Sequence, residues 1–173
     1  SDVVKDPQGL FYSSPEALAD LGVKTKMRHD VLDVNIAEKK LTIKDLESGK
    51  AFEDTYDKLI ITTGSWPIIP PIEGIDLDEI VLCKNYDHAK TVIEKAKTAE
   101  NIVVVGAGYI GVELVEAFEI LGKKVTLVDA QDRILPKYLD VEFTQAAEKS
   151  FEEKGVTLAL NQGVEKFVGE RGK

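Results

Sequence analysis

The stretch that most constrains this chain is Ile102-Val103-Val104-Val105 running straight into Gly106-Ala107-Gly108-Tyr109-Ile110-Gly111. A β-branched run favours a strand. The glycine-spaced turn after it leads into residues 109–121, which place Ile110, Leu114, Ala117, Phe118 and Leu121 on one helical stripe. Gly122 suits a helix stop, and Val125-Thr126-Leu127-Val128 predicts the next strand. That strand ends in Asp129, 18 residues after Gly111, close to the roughly 20 expected when a glycine turn and an acidic residue share one ligand. Gly106 permits the tight strand-to-helix turn. Gly108 lets an anionic group approach the backbone, and Gly111 lets helix and strand pack closely. Amides at the helix N-terminus, helped by the helix dipole, then face the anion. Strand, glycine spacing, helix and acidic terminus together read as a dinucleotide-binding fingerprint in the context it requires. Asp129 would accept hydrogen bonds from both adenosine ribose hydroxyls and repel a 2′-phosphate, which predicts NADH over NADPH. FAD can use the same fingerprint, so the motif alone does not choose the dinucleotide.

The flanking sequence predicts an α/β fold. Residues 85–98 place Ala89, Val92, Ile93 and Ala96 on one helical face. Asp140 can cap a further helix with Phe143, Ala147 and Phe151 at four-residue spacing, and Gly155 stops it before the strand-like 156–160. Strands alternating with helices of this length imply a Rossmann-like domain with a parallel sheet and crossovers. Upstream the pattern changes. Ser14 and Pro15 open a short helix that Gly22 closes. Val31–Ile36, then Leu41–Lys44, then a weaker strand after Ser48-Gly49-Lys50 predict a small antiparallel β-meander. Lys58-Leu59-Ile60-Ile61-Thr62-Thr63-Gly64 reads as a strand buried on both faces. Pro67, Pro70 and Pro71 then forbid helix or interior strand and predict a stiff, extended joint. The expected organisation is 1–66, a joint over 67–75, and a dinucleotide domain over 76–173.

Composition excludes several classes. The 31 acidic residues against 22 basic ones give a net charge of −9, the wrong sign for meeting nucleic-acid phosphates or an anionic membrane. No run approaches the roughly 20 apolar residues of a membrane span. A single cysteine, Cys83, allows no internal disulfide, which fits a reducing cytoplasm. It reads as a buried or incidental thiol. His29 and His88 are too few for a His-rich metal site and have no nucleophile motif beside them. Glu148, Glu152 and Glu153, with Lys149 and Lys154, read as a solvated helix face. Trp66 in the proline joint reads as a packing residue, with contact to a cofactor as the alternative.

Two segments resemble the two-dinucleotide flavoprotein reductases of the pyridine nucleotide–disulfide oxidoreductase family. Tyr56–Pro67 is similar to the family's strand that ends beside FAD before the chain crosses to the NAD domain. Val105–Leu114, with Tyr109-Ile110-Gly111 and Glu113, is similar to its NADH fingerprint. Asp6–Tyr12 and Asp132-Arg133 followed by Tyr138-Leu139-Asp140 resemble the branch of bacterial NADH oxidases and NADH peroxidases. The resemblance implies that residues 1–66 are part of an FAD-binding domain, with Thr62, Thr63, Gly64 and Ser65 against FAD and Lys84 at a basic position near the flavin. It implies NADH contacts at Ile110, Glu113, Asp129 and Tyr138, and at Tyr109 an aromatic that covers the flavin and moves aside for nicotinamide. Val115 departs from the family pattern, where a smaller residue is usual. The resemblance further implies an internal portion of a homodimeric flavoenzyme that moves hydride from NADH to FAD and reduces oxygen, to water. No catalytic residue is expected within these 173 residues, since the family's redox cysteine and first FAD fingerprint would lie upstream. NADH peroxidase and coenzyme A disulfide reductase are the alternatives among enzymes. A non-catalytic NADH-sensing module is the alternative of another class.

Overall fold

A computed structural model describes residues 7–170; Asp6 of the resembling N-terminal segment lies outside them. The chain divides into two compact units between Gly64 and Ser65.

The first unit opens with a 3-10 turn over Pro7–Leu10 and helix α1, Pro15–Asp20. Ser14 caps α1 as expected, its hydroxyl accepting the Ala17 N–H at 3.2 Å. Strands β1 (His29–Asn35), β2 (Lys40–Asp45) and β3 (Ala51–Thr55) form the predicted antiparallel meander. Val31 pairs with Ile43, and a bulge follows before Asp33 pairs with Thr42. Ile43, opposite Phe52 on β3, is the buried centre of this small sheet.

The strand expected over 58–64 does not form. The segment is without ladder partners among the described residues, and Ile60 and Ile61 are 85% and 67% exposed. An apolar, β-branched run is strand-prone only beside a neighbour that takes up its N–H and C=O groups. Trp66 likewise is 81% exposed and packs into no core. The prolines act as predicted, with no helix or strand over 67–71.

The second unit carries helix α2 (Tyr86–Thr98), strand β4 (Asn101–Val105), helix α3 (Tyr109–Ile120), strand β5 (Lys124–Val128), helix α4 (Val141–Glu153) and strand β6 (Thr157–Ala159). The strands form a parallel sheet in the order β4-β5-β6, with Val104 beside Leu127 and Leu127 beside Leu158. Val104, Val115, Phe118, Val125, Leu127 and Phe151 centre its core.

The helical faces keep part of each expected stripe, with Leu114, Phe118, Ala147, Phe151, Val92 and Ala96 in or against the core, and depart from it elsewhere. On α3 the buried residues are Gly111, Val115 and Phe118, while Ile110 and Leu121 are exposed. At Gly111 the helix meets the turn at the Gly106 carbonyl, with Val104 of β4 behind it, and a glycine has no side chain for an apolar stripe to register. On α4 the buried residues are Thr144 and Phe151, and Phe143 is exposed. Thr144 can be buried because its hydroxyl donates to the Val141 carbonyl at 3.0 Å. On α2, Ala96 is buried and Val92 packs against the core, whereas Ile93 faces solvent.

Candidate dinucleotide-binding site

The three glycines of the turn answer to three different demands. Gly106 leaves β4 with φ +106°, a conformation that L side chains rarely adopt. Its N–H continues the ladder to the Val128 carbonyl at 2.8 Å. At Gly111 a Cβ would overlap the carbonyl oxygen of Gly106, so helix and turn touch backbone to backbone. Gly108 is the N-cap of α3 with φ −80°, open to any residue, and a Cβ there meets nothing within 4 Å. The protein itself therefore requires glycine at 106 and 111 but not at 108. The open space over Gly108 faces the first turn of a helix, whose leading N–H groups have no intrahelical acceptor. Such a helix start can take an anion that approaches bare backbone.

Asp129 stands at the end of β5, next to the end of β4 in the sheet. Its Oδ2 accepts the Ala107 N–H at 2.6 Å and its Oδ1 accepts the Gln131 N–H at 2.7 Å. The Ala107 carbonyl in turn accepts the Leu135 N–H at 2.8 Å. The glycine turn and the segment after β5 are thus pinned together through one residue. An ionised carboxylate has about four acceptor positions, so two remain for hydroxyl donors. Beside Asp129 lies a cleft of about 250 Å³ walled by Val105, Val128, Ile72 and Val164, with Gln162 at its edge. The Gln162 N–H bonds the Asp129 carbonyl at 3.0 Å and holds that wall in place. A carboxylate beside an apolar slot can take a ribose and a flat heterocycle.

Tyr109, the first residue of α3, meets Tyr138 with ring centroids 4.3 Å apart and planes inclined by 40°. Both rings are about half exposed, at 53% and 54%. Ile110 and Glu113 are exposed on the same helix. Tyr138 is carried by the loop between β5 and α4, whose Ile134 and Leu135 are buried. The Arg133 guanidinium donates to the carbonyls of Leu139 at 2.9 Å and Pro136 at 3.1 Å. Glu148 does not belong to the solvated face of α4 as expected. It is half-buried, and its Oε1 accepts the Ile134 N–H at 2.9 Å. The spacing of Glu148 from Thr144 and Phe151, four and three residues along the buried face, is the signal that reveals it. Lys149 pairs with Glu153 on that helix, whereas Lys154, just after it, pairs with Glu119 of α3.

The residues tied by resemblance to FAD are differently placed. Thr62, Thr63, Gly64 and Ser65 lie on exposed backbone outside any strand, with Gly64 at φ +68°. Lys84 is exposed ahead of α2, and Cys83 beside it is partly buried. Among the described residues no cluster of His, Cys, Asp and Glu is suited to a metal ion. No helix among them is long and apolar enough to cross a membrane.

The family profile described as pyridine nucleotide-disulphide oxidoreductase matches residues 3–173. The chain belongs to the pyridine nucleotide-disulphide oxidoreductase family. Within this family it is similar to the NADH oxidase of Enterococcus faecalis, 57% identical over 172 residues, which cover 99% of this chain and 39% of that protein. It is similar in structure to the water-forming NADH oxidase of Lactobacillus brevis bound to NADH, with TM-score 0.93 and 50% identity, covering 96% of this chain and 37% of that one. An engineered water-forming NADPH oxidase derived from the latter, bound to NADPH, aligns with TM-score 0.92 and 48% identity over 95% of this chain and 37% of that one. The chain thus spans about two fifths of the length of these family members.

Proposed function

We propose that this chain is the NADH-binding portion of an FAD-dependent NADH oxidase, whose whole protein takes hydride from NADH to FAD and reduces oxygen to water. The observation that carries the reading is Gly108: neither its backbone conformation nor its surroundings demand glycine, and it lies in the turn that Asp129 ties to the end of β5. A pyrophosphate over Gly108 at the N-terminus of α3 supplies the missing reason. The ribose hydroxyls fit the remaining acceptor positions of Asp129, and the adenine fits the apolar cleft beside it. Tyr109, Tyr138, Ile110 and Glu113 then line the way to the nicotinamide half. The likeness to NADH oxidases along nearly the whole chain supports the same choice of dinucleotide.

When bound, NADH supplies the hydride and FAD the two-electron acceptor. The task of this chain's residues is to bind and orient: Gly106–Gly111 hold the phosphates, Asp129 selects the ribose, and Tyr109 with Tyr138 guards the ring end. Thr62, Thr63, Gly64, Ser65 and Lys84 would contact FAD in the whole protein, within an FAD-side portion over 1–66 joined by 67–75 to the NADH domain over 76–173. The negative charge of Asp129 meets the 2′-phosphate of NADPH unfavourably.

Calorimetric titration with NADH and NADPH tests this. The expected result is NADH binding with NADPH at least about tenfold weaker, the discrimination of one like-charge contact. Equal affinity for the two, or FAD displacing NADH from the glycine turn, would overturn the assignment.

A further inference from the structure

The loop carrying Tyr138 is braced from a distance. Its Ile134 and Leu135 are buried at 0% and 7% exposure, and Leu135 is held at φ +48°, a left-handed conformation that a leucine adopts only under outside constraint. Three hydrogen bonds supply the constraint. Glu148 Oε1 on α4 accepts the Ile134 N–H at 2.9 Å. The Leu135 N–H donates to the Ala107 carbonyl inside the glycine turn at 2.8 Å, and the Tyr138 N–H donates to the Leu135 carbonyl at 3.0 Å. The loop beyond is closed by Arg133 on the carbonyls of Pro136 and Leu139. Of these ties, the Glu148 carboxylate is the one side-chain tie that reaches the loop from a separate element. It fixes Ile134, next to the Leu135 that bonds the glycine turn.

We infer that Glu148 is a positioning residue for the dinucleotide site: from α4 it holds the β5–α4 loop so that Tyr138 rests on Tyr109 and Leu135 stays bonded to Ala107. It touches no ligand. It acts through the Ile134 peptide, a buried N–H whose acceptor is the Glu148 carboxylate, and leaving a buried donor unmet is costly. The inference rests on the proposed NADH site for its effect on binding, but its structural half stands without any ligand.

The test uses the full chain with Glu148→Ala, Glu148→Gln and, as a control on the same helix, Glu152→Ala. Two quantities are read: the nuclear Overhauser contact between the Tyr109 and Tyr138 rings in the ligand-free protein, and the dissociation constant for NADH. Glu148→Ala should lose the ring contact and weaken NADH about tenfold, the scale of one charge-assisted hydrogen bond. Glu148→Gln, whose amide oxygen can still accept the Ile134 N–H, should keep the contact and stay within about twofold of the parent. Glu152→Ala should change neither. Retention of the ring contact in Glu148→Ala overturns the inference, as does failure of Glu148→Gln to rescue it. If Glu148→Ala does not fold, Glu148→Asp takes its place: a shortened reach should loosen the contact, and an unchanged contact refutes the brace. If the parent chain binds no NADH, the proposed function fails, while the ring contact in the ligand-free proteins still decides the role of Glu148.

Discussion

Asp129 and Ala107 stand just beyond the ends of adjacent parallel strands, and the Asp129 carboxylate accepts the Ala107 N–H at 2.6 Å. The acidic residue expected to read the ribose is therefore also part of what shapes the glycine turn. Asp129→Ala removes both functions together. NADH affinity should fall about a hundredfold, as expected for two or more hydrogen bonds to a charged acceptor. Hydrogen exchange at the Ala107 and Gln131 amides should quicken in the ligand-free variant. Asp129→Asn keeps one acceptor oxygen but turns an NH2 toward one of the two amides. It should weaken NADH less than Asp129→Ala and narrow the gap to NADPH, because the charge is gone. Unchanged exchange at Ala107 in Asp129→Ala would show that the turn holds its shape without the carboxylate.

The turn that joins β2 to β3 offers a pH-dependent counterpart in the first unit. The Ser48 hydroxyl donates to Asp45 Oδ2 at 2.6 Å, and the amides of Glu47 and Ser48 donate to Oδ1 at 2.8 and 3.3 Å. The Ser48 hydroxyl first, and then the Glu47 amide, hold the Asp45 carboxyl below its ordinary value. A carboxyl lowered in the folded state adds stability that is complete above its unfolded pKa. That stability is lost as pH falls through the lower folded one. Carbon-13 titration of the Asp45 carboxyl should give a midpoint below 3.8, and Ser48→Ala should move it upward. A midpoint indifferent to Ser48 would contradict the hydrogen-bond origin.

Much of this architecture is legible in local chemistry. The Ser14 cap, the meander, the alternation of β4, α3, β5, α4 and β6, and the glycine turn closing near Asp129 all follow from caps, periodicity and glycine spacing. Departures arise where a residue's fate is decided by something outside its own segment. Residues 58–64 carry as many β-branched residues as β4, but among the described residues they have no ladder partner. Gly111 carries the contact stripe of α3 without a side chain to advertise it. Glu148 looks like its solvated neighbours until the Ile134 amide arrives from a distant loop. The same holds within the site. Gly106, Gly108, Gly111 and Asp129 are readable from spacing, whereas the hydrogen bonds through Ala107 and Leu135 depend on a loop whose left-handed leucine no propensity predicts.

Gly111 and Gly108 share one motif but should respond oppositely to an added side chain. A methyl at Gly111 would overlap the Gly106 carbonyl, and Val104 lies just behind at 3.6 Å. Gly111→Ala must therefore push the turn away from α3, at a cost of about 1–3 kcal/mol typical of overpacking. The amide resonances of Gly106 and Ala107 should shift, the melting temperature should fall, and NADH should bind more weakly as a consequence of the moved turn. A variant that melts at the parent's temperature with unmoved Gly106 and Ala107 resonances would refute the close contact.

At Gly108 the backbone is already extended and nothing lies within 4 Å of where a Cβ would sit. Serine is as good an N-cap as glycine or better, because its hydroxyl can accept an N–H from the first turn of α3. Gly108→Ser should therefore fold normally, with a melting temperature equal to or above the parent's. The same side chain occupies the space in which a pyrophosphate would approach the backbone, so NADH affinity should drop more than about tenfold. Gly108→Ala, smaller and without the capping hydroxyl, should lose some helix stability and less affinity. The decisive reading is the pairing of an intact or improved fold with failed binding in Gly108→Ser. Full NADH affinity in that variant would mean that the phosphates do not pass over Gly108, and the dinucleotide assignment would have to be abandoned.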